Sequence, residues 1–227
     1  EFKHTILSID QVFAEDHTWV ATLSAKGVRT MIATGDVIPA RSVNFQVLKH
    51  KDFNWPYLKT ASVTRNADIT FINLETPLIK NCPITQTGMI FCGDQRNVEG
   101  LVYAGVDVAS LANNHAGNYG AEAVQKTKDL LKENDILITG IDDPVIKNIR
   151  GIKFAFLGYN DITKPQPEIS NTDEEKIKQE ITIARQQADI VIVAYHWGVE
   201  YRSQPDERQK YLGHLAIDAG ADLVIGN

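Results

Sequence analysis

Short runs of apolar residues recur along the chain, and carboxylate, amide or imidazole side chains follow several of them. Runs that are apolar throughout are typical of parallel strands buried on both faces. Such strands are predicted over residues 29–34, 68–74, 106–111, 136–141, 152–157, 190–195 and 222–225. Because parallel strands end at a shared edge, the polar residues that follow them should meet in one crevice.

Helical patterns separate several of these runs. Helices are predicted from near residue 120, over residues 174–187 and from about residue 206 to 219. The expected inward-facing residues of the first two are Val124, Thr127, Leu131, Ile177, Ile181 and Ala184. The alternation of strand and helix predicts an α/β protein with a largely parallel sheet. The runs at 136–141 and 152–157 have no helix between them, which predicts a local antiparallel pair, and residues 160–172 should form a surface loop near the crevice.

Length and composition fit one main domain, since 227 residues with 43% hydrophobic and 23% charged can build a substantial core. We assign residues 1–27 to a lead-in or the tail of a preceding region, and residues 28–227 to the domain. The net charge of -6 and the lack of a basic run argue against nucleic acid as a partner. No apolar run is long enough to span a membrane, and the chain opens with Glu1-Phe2, so we expect a processed or excised piece of a longer protein.

Cys82 and Cys92 are the only cysteines, and they bracket a polar loop that a disulfide could close. A disulfide would suit an oxidising compartment. Two unpaired cysteines are the equal alternative, and the sequence leaves both open.

Carboxylates, amides and imidazoles stand at four predicted strand ends. The groups are Gly35-Asp36, Asn73-Leu74-Glu75, Asn113-Asn114-His115 and His196-Trp197-Gly198 with Glu200. An ionised Glu75 beside a buried run is costly unless it is paired or bound to metal. Asn oxygen and His nitrogen are also acceptable metal ligands. Gathered at one edge, these groups predict a metal site.

Each group has a plainer interpretation when it is taken alone. Asp36 could cap a turn, Glu75 could be a salt-bridged strand end, and His196 could be a satisfied core residue. The Asn-rich segment 113–115 could be an ordinary turn. Because four strand ends carry such groups, the shared site is favoured.

Read in order, four motifs resemble the capsule synthesis protein CapA family, also called poly-γ-glutamate biosynthesis proteins. They are Gly35-Asp36-Val37-x-x-x-Arg41, Asn73-Leu74-Glu75-Thr76-Pro77, Leu111-Ala112-Asn113-Asn114-His115-x-x-x-Tyr119-Gly120 and His196-Trp197-Gly198-x-Glu200-Tyr201. The resemblance extends from about residue 28 to 227. The family looks like a branch of the calcineurin-like metallophosphoesterases, which implies a four-layer α/β/β/α sandwich.

The resemblance also implies roles for individual residues. Asp36 would bind a first metal, Glu75 would replace a bridging carboxylate, and Asn114 and His196 would bind a second metal. His115 would be the catalytic residue, donating a proton to the leaving oxygen or stabilising charge. The expected substrate-binding residues are Arg41, Asn73, Asn113, Trp197, Glu200 and Tyr201, with Arg41 as the partner of an anionic group.

Departures from the family pattern weaken the first metal position. Ile38 stands where related phosphoesterases carry a metal-binding His, and Glu75 replaces a shorter Asp. The expected cofactor is therefore one or two divalent ions such as Mn, Zn or Fe. CapA-like proteins continue into a His-Pro-His motif beyond the position of Asn227, so we expect a truncated domain whose site is incomplete.

The resemblance implies that the parent protein makes, exports or trims an extracellular anionic polymer, such as poly-γ-glutamate or capsular polysaccharide, while anchored at the outer face of the membrane. The chemistry would be metal-assisted hydrolysis or transfer. The alternative is a non-catalytic binding or scaffold subunit of a membrane polymer-synthase complex. A phosphoesterase acting on small nucleotides or phospho-sugars is a third hypothesis.

Overall fold

Two four-stranded sheets lie face to face in the computed structural model, which describes residues 27–142, 144–162, 166 and 168–227. The predicted lead-in over residues 1–27 lies outside this range apart from Gly27, so its separate character stays a prediction. Residues Met31–Asn227 form one compact unit.

The described elements follow one another in strand and helix alternation. The strands are β1 (Met31–Val37), β2 (Ile69–Leu74), β3 (Leu78–Ile79), β4 (Gly93–Asp94), β5 (Val108–Ser110), β6 (Leu137–Thr139), β7 (Val145–Ile149), β8 (Ile152–Asn160), β9 (Ile190–His196) and β10 (Leu223–Gly226). The helices are α1 (Arg41–His50), α2 (Ala61–Thr64), α3 (Asn97–Tyr103), α4 (Ala121–Glu133), α5 (Glu174–Gln187) and α6 (Glu207–Ala219), with a 3₁₀ turn at Trp55–Tyr57. All seven predicted strands and all three predicted helices are present; the helix over residues 174–187 has the predicted bounds, and the strands have shifted ones.

The first sheet has the order β1-β2-β5-β6 and is parallel throughout. The second has the order β10-β9-β8-β7, with only β7 antiparallel to its neighbour. The predicted antiparallel pairing of 136–141 with 152–157 is therefore wrong. Those runs lie in different sheets, and β8 pairs instead with β7, a strand that the apolar runs do not predict. The β7–β8 hairpin turns at Arg150 and Gly151, both with positive φ (50° and 88°), as a tight hairpin requires.

Three apolar clusters fill the spaces between four layers, which confirms the α/β/β/α expectation. The cluster between the sheets includes Ile69, Phe71, Val108, Phe154, Phe156 and Ile192. Helices α3 and α4 cover the first sheet through Leu101, Val124 and Leu131. Helices α5 and α6 cover the second sheet through Ile177, Ile181, Ala184, Leu212 and Ala216. No helix in the described part of the chain has the length and apolar character needed to cross a membrane.

Strand alternation places two predicted site residues between the sheets. Phe71 of β2 and Ala194 of β9 pack in the inter-sheet core. Since side chains repeat on one face every second residue, Asn73 and His196 follow them on the same inner faces. The sheets therefore bring these two side chains together at the carboxyl ends of their strands.

A bulge in β1 brings Asp36 to the same place. Ala33 is aligned with Phe71, but Asp36 is aligned with Asn73, so β1 has one extra residue between these pairs. Without that residue, Asp36 would lie on the opposite face of the sheet, toward the helices. The strand predicted over residues 29–34 ends at Thr34, whereas the observed strand continues through Gly35 to Val37.

Candidate metal and catalytic site

An open cavity of about 1060 Å³ lies at the carboxyl ends of β1, β2 and β9. The predicted residues that line it are Asp36, Arg41, Glu75, Asn114, His115, His196, Trp197, Glu200 and Tyr201. The crevice expected from the strand ends is therefore present, and most of the candidate residues face it.

His196 lies at the centre of a hydrogen-bond network and is 5% exposed. Its Nε2 is 2.9 Å from Asn114 Oδ1 and 3.6 Å from Glu75 Oε1. Its Nδ1 is 3.2 Å from Asn73 Nδ2 and 3.6 Å from Asp36 Oδ1. Glu75 and Asn114 therefore lie near Nε2 of the imidazole, and Asp36 lies near Nδ1. Burial lowers the pKa of His196 below its ordinary value, so the ring is neutral at neutral pH.

Asn73 and Asn113 lie behind the cavity wall and are fully buried. Asn113 Oδ1 accepts from the N–H groups of His115 (3.1 Å) and Ala116 (2.8 Å), and its Nδ2 donates to Asn73 Oδ1 (3.0 Å). Asn73 Nδ2 in turn donates to Asp36 Oδ1 at 2.7 Å. Both amides hold the loop and strand ends together, and the contact of Asn73 and Asn113 with substrate stays a prediction.

The chain of amides also sets the tautomer of His196. Asn113 Oδ1 accepts from backbone N–H groups, so its Nδ2 faces Asn73 and the Asn73 amide nitrogen must face His196. His196 Nδ1 is then an acceptor, and Nε2 carries the hydrogen that Asn114 Oδ1 accepts.

Glu75 is a buried carboxyl beside a second carboxyl. It follows β2 directly, is 7% exposed, and its backbone N–H donates to Val37 O at 3.0 Å. Burial, followed by the charge of Asp36 and a hydrogen bond to Asp36, raises the pKa of Glu75 to about 8. Two close carboxyls of this kind share a proton unless a cation takes its place.

The donor types suit a divalent cation, although they do not all converge on one point. Among the residues that the structure describes, no cluster of three or more His, Cys, Asp or Glu side chains is arranged to hold a metal ion. Asp36 Oδ1 lies 3.6 Å from Nδ1 of His196, and Glu75 Oε1 lies 3.6 Å from Nε2 of the same ring. One carboxylate oxygen of Glu75 and one amide oxygen of Asn114 lie near Nε2, and a cation there would replace the proton on that nitrogen. The four-residue metal site stays a prediction.

His115 faces the same cavity from the loop that follows β5. It is 7% exposed, and its Nε2 lies 3.8 Å from Glu75 Oε1. Its Nδ1 is 2.8 Å from Asn118 Oδ1, and its ring stacks on Phe91 with 3.9 Å between ring centroids. The loop that carries His115 is held by Asn113, as described above.

Cys82 and Cys92 form a disulfide, which answers the question that the sequence left open. The loop that it closes reaches the cavity through Met89 and Phe91. Arg41 lies at the start of α1, with its guanidinium 4.7 Å from the centre of the Phe91 ring and Nη1 donating to Gly88 O at 3.1 Å. Arg41, which is expected to pair with an anionic group, therefore lies against this loop at the edge of the cavity.

The segment after β9 forms the opposite wall. Trp197 stacks on Tyr195 at 4.6 Å between ring centroids, while Glu200 and Tyr201 are exposed along the cavity. Tyr201 has a φ of 62°, a left-handed conformation. Trp197 and Tyr201, which are expected to bind substrate, thus line this side of the cavity, and Tyr201 is open to solvent.

Sequence reasoning missed Phe91, Asn118 and Arg202. Phe91 and Arg202 line the cavity, and Asn118 bonds to His115. Asn118 could have been found from its position three residues after His115 in one turn. For Phe91, the only sequence signal was its position directly before Cys92.

Comparison with known proteins supports the family resemblance. Residues 30–227 match the family described as bacterial capsule synthesis protein PGA_cap. The capsule biosynthesis protein CapA of Bacillus anthracis is 28% identical over 220 residues, covering 87% of this chain and 53% of that protein. The PGA biosynthesis protein CapA of Bacillus subtilis (strain 168) is 30% identical over 251 residues, covering 99% of this chain and 66% of that protein. The chain thus spans between half and two thirds of the length of these relatives.

The fold also has relatives among solved structures. The crystal structure of a novel phosphatase from Mycoplasma pneumoniae has a TM-score of 0.53 at 17% identity, covering 88% of this chain and 63% of that one. At this identity the likeness shows the fold alone, and it confirms the predicted class. Because the family match covers most of the sequence, the chain belongs to the bacterial capsule synthesis protein (CapA, PGA_cap) family.

Proposed function

We propose that this chain acts on an extracellular anionic polymer in capsule or poly-γ-glutamate biosynthesis, through metal-assisted hydrolysis or transfer at a phosphate, ester or amide centre. The observation that carries the proposal is the gathering of Glu75, Asn114, His115 and His196 on one open cavity. Family membership supports the biosynthetic setting.

Glu75, Asn114 and His196 would hold a divalent cation such as Mn, Zn or Fe. Asn114 Oδ1 and Glu75 Oε1 lie 2.9 Å and 3.6 Å from His196 Nε2, close enough for the three side chains to hold one cation. Asp36 would serve a second cation, with Glu75 between the two. The cation would supply Lewis-acid polarisation of the scissile group and charge neutralisation.

The other side chains would bind, orient and move protons. His115 Nε2 faces the cavity near Glu75 and would accept and return a proton at the reacting centre. Arg41 and Arg202 line the cavity and would pair with carboxylates or phosphates of the polymer. Asn73 and Asn113 would support the site by fixing the orientation of His196 and the loop before His115.

The location and partners follow from the same proposal. The Cys82–Cys92 disulfide supports an oxidising location, such as the outer face of the cell membrane. An exposed site on an anchored parent protein would receive polymer from membrane synthase subunits.

A non-catalytic binding or scaffold subunit is the second candidate. It is favoured by Ile38, which lines the cavity beside Asp36 where a metal-binding His would be needed. In this case the cavity would bind polymer without cleaving it.

The test combines metal binding with polymer cleavage. We expect the chelator-treated protein to bind Mn²⁺ or Zn²⁺ stoichiometrically in calorimetry and elemental analysis. We expect Glu75→Gln to weaken that binding at least tenfold, because it removes the charged oxygen near His196 Nε2. Glu122→Gln is the matched control, since Glu122 is an 82% exposed carboxylate on α4.

Poly-γ-glutamate chain length, followed by gel filtration with and without metal, provides the activity measurement. Metal-dependent shortening that Glu75→Gln abolishes would support the enzyme. Polymer binding that survives both chelation and Glu75→Gln would instead establish the scaffold.

A further inference from the structure

The disulfide-closed loop contacts His115 directly. Phe91, which precedes Cys92, is 3% exposed, and its ring stacks on the imidazole with an interplanar angle of 19°. Stacking at 3.9 Å between centroids leaves the imidazole little freedom to rotate about its χ angles. The same loop therefore limits the orientation of the proposed catalytic residue.

Asn118 bonds to both partners of this stack. Its Oδ1 accepts the Phe91 backbone N–H at 2.7 Å and lies 2.8 Å from His115 Nδ1. An atom that accepts from a backbone N–H must be the amide oxygen, so His115 Nδ1 must carry a hydrogen to bond with it. The unprotonated nitrogen of the neutral ring is then Nε2, which faces Glu75.

The loop is held from α1 as well as by its disulfide. Ser42 Oγ donates to Gln86 O at 3.1 Å, and Arg41 Nη1 donates to Gly88 O at 3.1 Å. The Arg41 guanidinium also lies over the Phe91 ring. These bonds tie the position of Phe91 to the first turn of α1 and to the closed ring of the loop.

We propose that Asn118 and Phe91 are positioning residues for His115, and that the Cys82–Cys92 loop is the element that delivers Phe91. Together they hold the imidazole in the Nδ1–H tautomer, with the Nε2 lone pair toward the cavity. The catalytic role of His115 in this proposal rests on the function proposed above. The tautomer does not, because it is a property of the folded chain. Proton transfer at His115 would then be confined to Nε2.

Nitrogen-15 NMR of the histidine rings in the full chain, metal-free at pH 8, tests the tautomer. We expect a protonated-type shift at Nδ1 and an unprotonated-type shift at Nε2 of His115. Asn118→Asp, which keeps an acceptor oxygen in the same place, should preserve the pattern. Asn118→Leu should convert it to a mixture of tautomers, whereas the control Asn134→Leu, at the end of α4, should leave it unchanged. An Nε2–H tautomer in the unaltered protein would overturn the proposal.

Phe91 and the disulfide are tested by the ring-current shifts of the His115 protons. Phe91→Leu keeps an apolar side chain but removes the aromatic ring, so these shifts should be lost while the fold, judged by circular dichroism, is retained. The double variant Cys82→Ser/Cys92→Ser should reduce the same shifts. Unchanged shifts in Phe91→Leu would contradict the stack.

Activity gives a separate outcome. If the polymer is cleaved, Asn118→Leu should lower kcat about 10- to 100-fold with KM within about twofold, since substrate contacts are kept, and Asn118→Asp should restore most of it. A fall in kcat with a comparable rise in KM would indicate general damage to the site and would reject a positioning role. If no form of the protein is active, the proposed function fails, but the NMR pattern still decides whether His115 has the proposed tautomer. Failure of the function and failure of the positioning proposal can therefore be told apart.

Discussion

At the scale of single residues, the site combines buried ionisable groups with amides that fix their orientation. Glu75 and His196 are both less than a tenth exposed, yet each has several polar partners. Burial favours the neutral form of each group, which raises the pKa of Glu75 and lowers that of His196. A cation would reverse this preference at Glu75 by stabilising the carboxylate.

The pKa of Glu75 predicts a pH-dependent stability in the metal-free protein. A carboxyl with a pKa of about 8 in the folded state and about 4.5 when unfolded stabilises the fold while it is protonated. That contribution is complete below pH 4.5 and is lost as the pH rises through 8. We expect urea unfolding to show a loss on the order of 1–2 kcal/mol between pH 6 and 9 that Glu75→Gln removes.

Two further measurements make this prediction specific. Glu122→Gln should keep the loss, because Glu122 is exposed. Added Mn²⁺ should restore stability at pH 9 but act weakly at pH 6, where it competes with the proton. A flat pH profile in the unaltered protein would be inconsistent with a protonated Glu75.

At the scale of elements, the helices predicted from periodicity are those whose buried faces are apolar. Helices α4 and α5 bury the predicted residues, and α6 begins after Asp206 as expected. Helix α1 was not predicted, because one of its two buried positions is Asn44. Asn44 Oδ1 accepts from the Asp94 N–H and from Asn97 Nδ2, so its burial depends on partners more than 45 residues away.

The capping box of α6 gives a prediction for this element. Asp206 Oδ1 accepts from the Gln209 N–H at 2.8 Å, and Gln209 Oε1 accepts from the Asp206 N–H at 2.9 Å. Asp206→Ala should lower the free energy of unfolding by about 1 kcal/mol, because a helix-end donor loses its partner. Asp218→Ala, an exposed position in the last turn of the same helix, should be neutral or slightly stabilising. Chemical unfolding of both variants checks the difference, and equal effects would contradict the capping role.

At the scale of the whole molecule, the two sheets are joined by an aromatic core. Phe71 and Phe156 come from different sheets, are fully buried, and stack with 5.8 Å between ring centroids. At the site end, a Cβ on Gly158 would lie 2.8 Å from Ser110 Oγ and 3.3 Å from the backbone of Gly140. The sheets therefore approach closely where the site is built.

The inter-sheet core predicts cooperative unfolding. Phe156→Ala should cost about 3–5 kcal/mol, since it leaves a cavity between two packed sheets. Circular dichroism and tryptophan fluorescence should still give coincident transitions, because both sheets depend on this core. Ile183→Ala, at a 42% exposed position on α5, is the control and should change stability by about 0.5 kcal/mol or less. Separate transitions for the two probes would show that the sheets unfold independently.

The buried strands, three of the helices and the ligand-type side chains that follow the strands could be predicted from the sequence, because these features depend on local periodicity and on the cost of burying charge. How those side chains face one another depends on contacts between distant elements. The bulge before Asp36 depends on pairing with β2, and the contact of His196 with Asn73 depends on two sheets meeting. Phe91 reaches His115 only because the disulfide loop folds onto α1. Such contacts join distant parts of the chain, so no local pattern specifies them.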